Sequence, residues 1–401
     1  MRTSSRPLPP TVLALGLISL LTDVGSEMIF PLLPLFFAQA LGATPAFIGV
    51  VEGAADTVSS VLKLYAGRWS DRMARRKPLI TAGYALAAFT RPLFAVVGTP
   101  IQALLVRVTD RVGKGLRSAP RDALLADAVD ARDAGRAFGF HRAMDHTGAV
   151  LGPIVATALL AMGFELRAVF AFAVIPGAVA VLLAALVPEA RRSDPPAPDP
   201  SREIVKDGRL PAPLVRYLKI LAIFSLGNAT DAFLLLRASE LGLSATLVPL
   251  LWTELHLVKA GASYFGGRLA DRVPRVQVIL GGWAVYTVVY LGFAIGSGSA
   301  LAWVLFAIYG LYHGLAEPAE KALVQDLAPA PLRGTAFGYW NLIKGASALP
   351  AGLIIGGLWT LLGAPVALVT VALVGGASSL LLLRWWRALP PSPVAGAPPV
   401  R

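Results

Sequence analysis

Two carboxylates stand four residues apart inside a long apolar stretch near the start of the chain. Asp23 and Glu27 lie in the segment 11–40, which contains no lysine or arginine. A spacing of four places both side chains on one face of a helix. A carboxylate that is shielded from water and has no basic partner can carry a proton near neutral pH, and two of them one turn apart tend to share one proton. The pair therefore has the chemistry of a proton carrier.

Further charged side chains recur in the other apolar segments. Each one costs about 2.5–3.5 kcal/mol at the centre of a bilayer, so such residues face a bundle interior or water, and they pair. A structural alternative for the acidic pair is open, namely permanent ion pairs with Arg107, Arg111 or Arg142. We predict that a proton and substrate cavity is lined by Asp23, Glu27, Glu52, Asp56, Arg107, Asp110, Arg111, His141, Arg142, Asp145, Asp231, Glu254, Glu317, Asn341 and Lys344.

The composition indicates which elements must position these residues. Of 401 residues, 56% are hydrophobic and 15% are charged, whereas a soluble protein has about 25% charged residues. Cysteine is absent and there are four histidines, which argues against disulfides, a thiolate nucleophile and a metal centre. The sequence has no HExxH, GxSxG or P-loop motif. We expect a polytopic membrane protein that is not an enzyme and has no cofactor.

Twelve apolar segments are each long enough to form a transmembrane helix. The connections between them alternate between basic and uncharged, except for the turn with Glu165 and Arg167, and this alternation predicts that the basic loops and both termini are cytoplasmic. The first segment is too long for a signal peptide and is expected to remain as a span. The segments are 11–40, 46–66, 78–97, 100–117, 136–162, 167–187, 214–240, 246–267, 276–295, 299–320, 335–360 and 364–386.

The chain divides into two related halves. A polar, Pro-rich stretch, 188–213, is typical of a linker and separates a six-helix bundle over 1–187 from a second over 214–401. GRWSDRMARRKPLI, from Gly67, matches GRLADRVPRVQVIL, from Gly267, and AGRAFGFHRAMD matches RGTAFGYWNLIK at an offset of 199. Parallel six-helix repeats are a transporter arrangement with a binding site between them.

The loop after the second span resembles the cytoplasmic signature loop of the major facilitator superfamily. GAVLGP, from Gly148, resembles part of the motif of its proton-coupled exporters, and Pro31 and Pro34 resemble a motif of its twelve-span drug antiporters. This resemblance implies an all-helical fold of two pseudo-symmetric six-helix bundles. It also implies a conformational latch, for which we expect Gly67, Arg68, Asp71, Arg72, Arg75, Arg76, Gly148, Gly152, Pro153, Gly267, Asp271, Arg272 and Arg275.

The resemblance and the charged spans together predict a secondary active transporter. We expect proton-coupled export of a small organic solute by alternating access, driven by the proton gradient and without a cofactor. An uptake symporter for an organic anion is the alternative, and a non-transporting receptor or lipid-modifying enzyme is a third reading. The expected partners are the solute, protons and the lipid bilayer of a bacterial inner membrane, with no nucleic acid despite the net charge of +12, and the chain is expected to be a monomer.

Overall fold

The computed structural model describes residues 8–73, 75–129, 134–187, 210–228, 230–329 and 332–388. The elements within these ranges are all helical. The predicted linker lies outside the described residues up to position 209, and its last residues already belong to the first helix of the second half, which begins at Ala212. The side chains of Asp71 and Asp271 also lie outside the described part of the chain.

Within the described residues, the first half of the chain contains eight α-helices. A 3-10 turn at Phe30–Leu32, a π-helical turn at Phe36–Ala40 and a second 3-10 turn at Arg91–Ala95 continue the helices beside them. The helices are α1 (Pro10–Glu27), α2 (Leu33–Leu35), α3 (Pro45–Arg72), α4 (Lys77–Thr90), α5 (Pro100–Asp127), α6 (Ala134–Ala161), α7 (Leu166–Phe172) and α8 (Val174–Leu186).

The described part of the second half contains seven α-helices. They are α9 (Ala212–Gly227), α10 (Ala232–Glu240), α11 (Val248–Arg272), α12 (Arg275–Ile295), α13 (Ser299–Leu327), α14 (Arg333–Leu362) and α15 (Ala364–Arg387). Helix ends carry the residues that usually mark them. Pro10 starts α1, Gly363 separates α14 from α15 at a φ of +87°, and Thr99 caps α5 through a reciprocal bond pair with Gln102.

Nine helical segments in the described part of the chain are long and apolar enough to cross a membrane. The predicted spans at 78–97, 100–117 and 246–267 are helical but are not among these nine. Their content explains this, because Lys77 and Arg91 lie in the segment that α4 forms with the 3-10 turn after it, and the charges of α5 and α11 lower the apolar content of those helices. Twelve spans and cytoplasmic termini therefore stay predictions.

The chain forms two compact units. Unit 1 comprises residues 1–42, 54–197 and 245–253, and unit 2 comprises 43–53, 198–244 and 254–401. In unit 1, α1 packs against α6 and α8, and α4 packs against α5 and α8. In unit 2, α12 packs against α13 and α15, and α9 packs against α14 and α15. The predicted bundles 1–187 and 214–401 are defined by the order of the membrane spans along the chain. The two compact units do not test that division, which stays a prediction.

Candidate proton and substrate site

The acidic turn of α1 lies directly against two glycines of α6. A Cβ atom added at Gly148 would lie 2.5 Å from the carbonyl oxygen of Leu20 and 2.9 Å from the Cβ of Asp23. One added at Gly152 would lie 2.6 Å from the carbonyl oxygen of Val24. Small residues at a helix interface let two backbones approach closely. The glycines of the GAVLGP motif therefore set the position of the acidic pair, whatever further part they have in a latch.

We expect Gly148→Ala to lower the stability of unit 1 by about 1–3 kcal/mol, because overpacking of a closed interface costs that much. The matched control is Gly139→Ala on the same helix, since a Cβ there meets nothing within 4 Å and alanine favours a helix over glycine. Thermal unfolding of the two purified variants in detergent measures both effects. Equal melting temperatures for the two would contradict the close contact.

Asp23 and Glu27 differ in their surroundings. Glu27 accepts a hydrogen bond at 2.7 Å from the indole Nε1 of Trp252, which also belongs to unit 1. Among the residues that the structure describes, Asp23 is in no ion pair. The basic groups that act on it electrostatically are Lys114 and Arg117, and the acidic ones are Glu27 and Asp145. The described contacts thus give neither carboxylate the permanent pairing with Arg107, Arg111 or Arg142 that the structural alternative requires.

A buried charge cluster lies on α5 next to the acidic turn. Arg91 Nε donates to Asp110 Oδ1 at 2.8 Å, and its Nη1 donates to the carbonyl oxygen of Thr22 at 3.0 Å. Arg107 Nη1 lies 3.6 Å from Asp110 Oδ2 and its guanidinium is 5.1 Å from the ring centroid of Phe30. Asp110 is thus held between two arginines, which makes it a fixed anion and a poor carrier of a proton.

Arg91 is a residue of this buried cluster that is absent from the predicted site. It stands inside the predicted span 78–97, in the 3-10 turn that follows α4. The sequence does carry a signal for it, because an arginine in an apolar segment has the same bilayer cost as the charged residues predicted to line the cavity. What the sequence lacked was the partner, which comes from α5.

The charged residues of α6 form a second cluster. Ser19 Oγ donates to Asp145 Oδ1 and accepts a bond of 3.2 Å from Arg121 Nη1. His141 Nδ1 lies 3.5 Å from Asp145 Oδ2 on the same helix. Arg142 is exposed on α6 and does not join this cluster. Asp145 is therefore placed beside the α1 acids, as its electrostatic effect on Asp23 also indicates.

The other predicted site residues are distributed over both units. In unit 1, Asp56 is half-buried, and the Nε of Arg111 is buried without a hydrogen-bond partner among the described residues. In unit 2, Glu52 is buried and Glu254 is half-buried. Glu317 accepts a bond of 2.7 Å from Lys321. Asn341 is exposed and donates to the carbonyl oxygen of Phe337 on its own helix. Within the described part of the chain, the hydrogen bond of Asn341 thus goes to its own helix backbone and not across a helix interface.

Equivalent pairs in the two repeats support the predicted duplication. Arg76, before α4, lies 3.4 Å from Asp127 at the end of α5, and Arg275, at the start of α12, lies 3.4 Å from Asp326 near the end of α13. Both residues of the second pair follow those of the first by 199 positions. Arg76 and Arg275 were predicted latch residues, and the structure places each in an ion pair between neighbouring helices.

The two loop glycines of the predicted latch, Gly67 and Gly267, have more space around them than Gly148 and Gly152 of α6. A Cβ at Gly67 would meet only the Cβ of Ala119, at an ordinary 3.4 Å, and one at Gly267 would meet nothing within 4 Å. Close packing therefore does not explain these two glycines. The neighbouring arginines are exposed, namely Arg68, Arg72, Arg75 and Arg272. The remaining predicted latch residue, Pro153, lies inside α6 directly after Gly152.

Another equivalent set has its charges exchanged between the repeats. At the same offset of 199, Arg121 and Asp145 of unit 1 correspond to Glu320 and Lys344 of unit 2. Lys344 Nζ lies 3.4 Å from Glu320 Oε2, and Glu320 Oε1 accepts a bond of 3.2 Å from Trp283 Nε1. The charges at these positions are thus reversed between the repeats: in unit 2 they form a direct pair, whereas in unit 1 Arg121 and Asp145 both bond to the hydroxyl of Ser19.

Comparison with known proteins gives the family. The sequence model described as "Major Facilitator Superfamily" matches residues 15–352 and 220–401. The chain is 32% identical over 365 residues to an uncharacterized MFS-type transporter of Methanocaldococcus jannaschii, covering 89% of this chain and 90% of that protein. It is also 25% identical over 332 residues to the multidrug resistance protein MdtH of Cronobacter sakazakii, covering 81% and 80% of the two chains.

Solved structures show the same fold at low identity. An auto-inhibited peptide transporter of the POT family superposes with a TM-score of 0.81 at 13% identity, covering 95% of this chain and 98% of that one. A bacterial homologue of the human lysosomal transporter Spinster, in an inward-facing and occupied conformation, superposes with a TM-score of 0.73 at 15% identity, covering 94% and 96%. Family membership confirms a multi-pass membrane transporter in place of an enzyme. The chain belongs to the Major Facilitator Superfamily.

Proposed function

We propose that this transporter exports a small organic solute across the bacterial inner membrane in exchange for protons. Both termini are then cytoplasmic, one chain is the working unit, and no cofactor takes part. The observation that carries the proposal is the acidic turn of α1. Asp23 is in no ion pair within the described part of the chain and has Glu27 and Asp145 beside it, while Asp110 nearby is held by two arginines.

This contrast assigns different roles to two kinds of carboxylate. A carboxylate between two arginines keeps its charge, whereas neighbouring carboxylates exchange and share protons. Binding of a proton at the Asp23–Glu27 turn changes the charge at the surface where α1 meets α6. Since a ligand shifts a conformational equilibrium by its differential affinity for the two states, a proton bound there can favour one access state over the other. The similarity to MdtH proteins supports export as the direction.

The test is a flux measurement on the full chain in proteoliposomes with the membrane potential clamped by valinomycin and potassium. Organic cations, anions, zwitterions and nucleosides are offered outside, and accumulation is measured by mass spectrometry. With the lumen acidic, an antiporter accumulates its solute about tenfold per pH unit at one-for-one exchange, since one pH unit is about 1.36 kcal/mol. Accumulation only with the outside acidic would contradict antiport, and no gradient-dependent movement would contradict proton coupling.

Uptake of an organic anion with protons is the second candidate. The observation in its favour is Arg111, whose buried Nε has no hydrogen-bond partner among the described residues. Arg107 is less suited to this role because Asp110 already lies 3.6 Å from it. The same flux assay separates the two candidates, because an anion symporter accumulates its solute when the outside is acidic.

A further inference from the structure

We propose that unit 1 binds the head group of an ethanolamine phospholipid in a cavity beside the turn that joins α6 to α7. The cavity has a volume of about 310 Å³, and its lining includes Phe36, Ala40, Glu165, Leu166 and Arg167. All of these residues belong to unit 1. Ligand sites in proteins have volumes of about 300–1,000 Å³. This lipid site is additional to the proposed transport function and assigns no solute.

Two opposite charges line this cavity without pairing with each other. Glu165 and Arg167 are the charged exception among a set of uncharged connections. Within the described part of the chain, neither side chain is in an ion pair, and the carboxylate of Glu165 accepts no hydrogen bond. Asp231, which directly precedes α10 as Glu165 precedes α7, differs because it accepts a bond of 2.6 Å from the hydroxyl of Tyr309. The cavity thus offers one anionic and one cationic group to a ligand.

Arg167 is oriented by the chain around the 3-10 turn that follows α4. Its Nη1 donates to the carbonyl oxygens of Ala95 and Val97, both at 2.8 Å, and its guanidinium carbon lies 5.2 Å from the ring centroid of Phe36. A guanidinium has five N–H donors, and the described bonds of Arg167 use only those of Nη1. Nε and Nη2 together form a fork that binds two oxygens of a phosphate. Since carbonyl groups carry no full negative charge, these contacts fix the side chain and leave its charge for an anion.

The cavity lies at the end of two candidate membrane spans. One span ends at Ala161 and the next begins at Leu166, and between them Met162 and Phe164 are 67% and 41% exposed. In a membrane protein, such side chains at the end of a span contact the boundary between head groups and acyl chains. The π-helical turn Phe36–Ala40 forms the other wall, and such turns occur frequently at functional sites. A lipid can therefore place its head group in the cavity and its acyl chains beside Met162 and Phe164.

The chemistry of the lining selects an ethanolamine head group. A simple anion would meet the carboxylate of Glu165, and a simple cation would meet the guanidinium of Arg167. A phosphate next to a primary ammonium group matches both charges, and the ammonium donates hydrogen bonds to a carboxylate as that of lysine does. The quaternary ammonium of a choline lipid has no N–H group and prefers aromatic faces, but Arg167 already lies over the ring of Phe36. A glycerol head group has no positive charge for Glu165.

Native mass spectrometry of the full chain in detergent measures the binding of single lipids. Phosphatidylethanolamine, phosphatidylcholine and phosphatidylglycerol with the same acyl chains are titrated separately. We expect the ethanolamine lipid to bind about tenfold more tightly than the other two, since a hydrogen bond between charged groups contributes at least that factor. Glu165→Gln should remove this preference by weakening the ethanolamine lipid about tenfold, because an amide carries no charge for the ammonium. Binding of phosphatidylglycerol to this variant should not weaken.

Glu240→Gln is the matched control. Glu240 also stands next to an uncharged connection, but it pairs with Arg237 at 3.1 Å and belongs to unit 2. Its replacement should change all three dissociation constants by less than about twofold, because an exposed ion pair contributes little.

Ala40→Phe tests the cavity itself. Ala40 is exposed and lines the cavity, so a larger side chain occupies the space and leaves both charges in place. We expect binding of the ethanolamine lipid to weaken about tenfold through the clash, with an unchanged melting temperature in lipid-free detergent. Soluble glycerophosphoethanolamine has the same charges without acyl chains, so it should compete only at about a hundredfold higher concentration.

Three results would overturn the site: no preference for the ethanolamine lipid in the wild type, an unchanged preference in Glu165→Gln, or wild-type affinity in Ala40→Phe. Losses in Glu240→Gln equal to those in Glu165→Gln would also overturn it. Equally strong competition by soluble glycerophosphoethanolamine would overturn the assignment to a lipid. All of these measurements record binding without flux, so their failure is distinct from a failure of the proposed function.

Discussion

Asp110→Asn is expected to destabilise unit 1 by about 3–5 kcal/mol, the usual cost of removing one partner from a buried ion pair. Asp110 and Arg91 are both nearly inaccessible, with side-chain exposures of 3% and 4%, and the bond between them is 2.8 Å long. The amide keeps a hydrogen-bond acceptor but no charge. Arg91 and Arg107 then stay in the interior without their common counter-charge. Thermal unfolding in detergent and equilibrium unfolding in mixed micelles measure the loss.

The chain supplies a control with an equally short ion pair. Asp122 accepts a bond of the same 2.8 Å length from Arg121, but its side chain is 50% exposed. Exposed ion pairs contribute about 0–1 kcal/mol, so Asp122→Asn should change stability little. A similar loss in the two variants would show that burial does not decide the energy here.

A triple variant separates stability from function. Replacing a buried ionic cluster by apolar residues of similar volume is often neutral or stabilising. We therefore expect Arg91→Met, Arg107→Met and Asp110→Leu together to recover most of the stability that Asp110→Asn loses. If this variant still transports, the cluster is structural only.

The sequence was sufficient for the helices but not for their interruptions. Apolar segments of membrane length predict helices well, because an unsatisfied backbone is too costly in lipid. The break between α7 and α8 at Ala173 has a local cause in Pro176, which has no N–H for the carbonyl of Phe172. The end of α9 at Gly227 and Asn228 follows the preference of these residues for helix ends. Pro176 and the Gly227–Asn228 pair each lie inside an apolar segment that was predicted as one span, so the apolar pattern alone did not indicate the interruptions.

Contacts within one helix could be predicted, whereas contacts between helices could not. The shared face of Asp23 and Glu27 follows from their spacing. The bond from Trp252 to Glu27 joins positions 225 residues apart, and no local pattern indicates it. The internal repeat was only a partial exception, because the match of the two loops aligns Arg275 with Arg75, whereas the structure gives the equivalent ion pairs to Arg275 and Arg76. The repeat did not reveal that Arg121 corresponds to the oppositely charged Glu320, because a repeat is detected from the residues that its two copies have in common.

The last expected result concerns the proton. Asp23→Asn and Glu27→Gln should each reduce the effect of the pH gradient on solute accumulation at least tenfold, because an amide cannot take up or release a proton in this range. Asp23→Asn is expected to have the larger effect, since Glu27 also accepts the indole bond of Trp252 at 2.7 Å and an amide oxygen can still accept it. The assay is the proteoliposome flux described above, with the solute that the wild type accumulates most.

Two comparisons make this result specific to the proton. Asp122→Asn removes an exposed carboxylate of the same unit and should keep the full gradient dependence. Solute movement without a pH gradient, measured in the same vesicles, reports whether a variant still binds and changes state. A proton carrier loses the ratio of driven to undriven flux, whereas a merely structural acid loses both fluxes together. Full gradient dependence in both amide variants would remove α1 as the coupling site and leave Asp145, the third carboxylate that acts at this turn, as the next residue to replace.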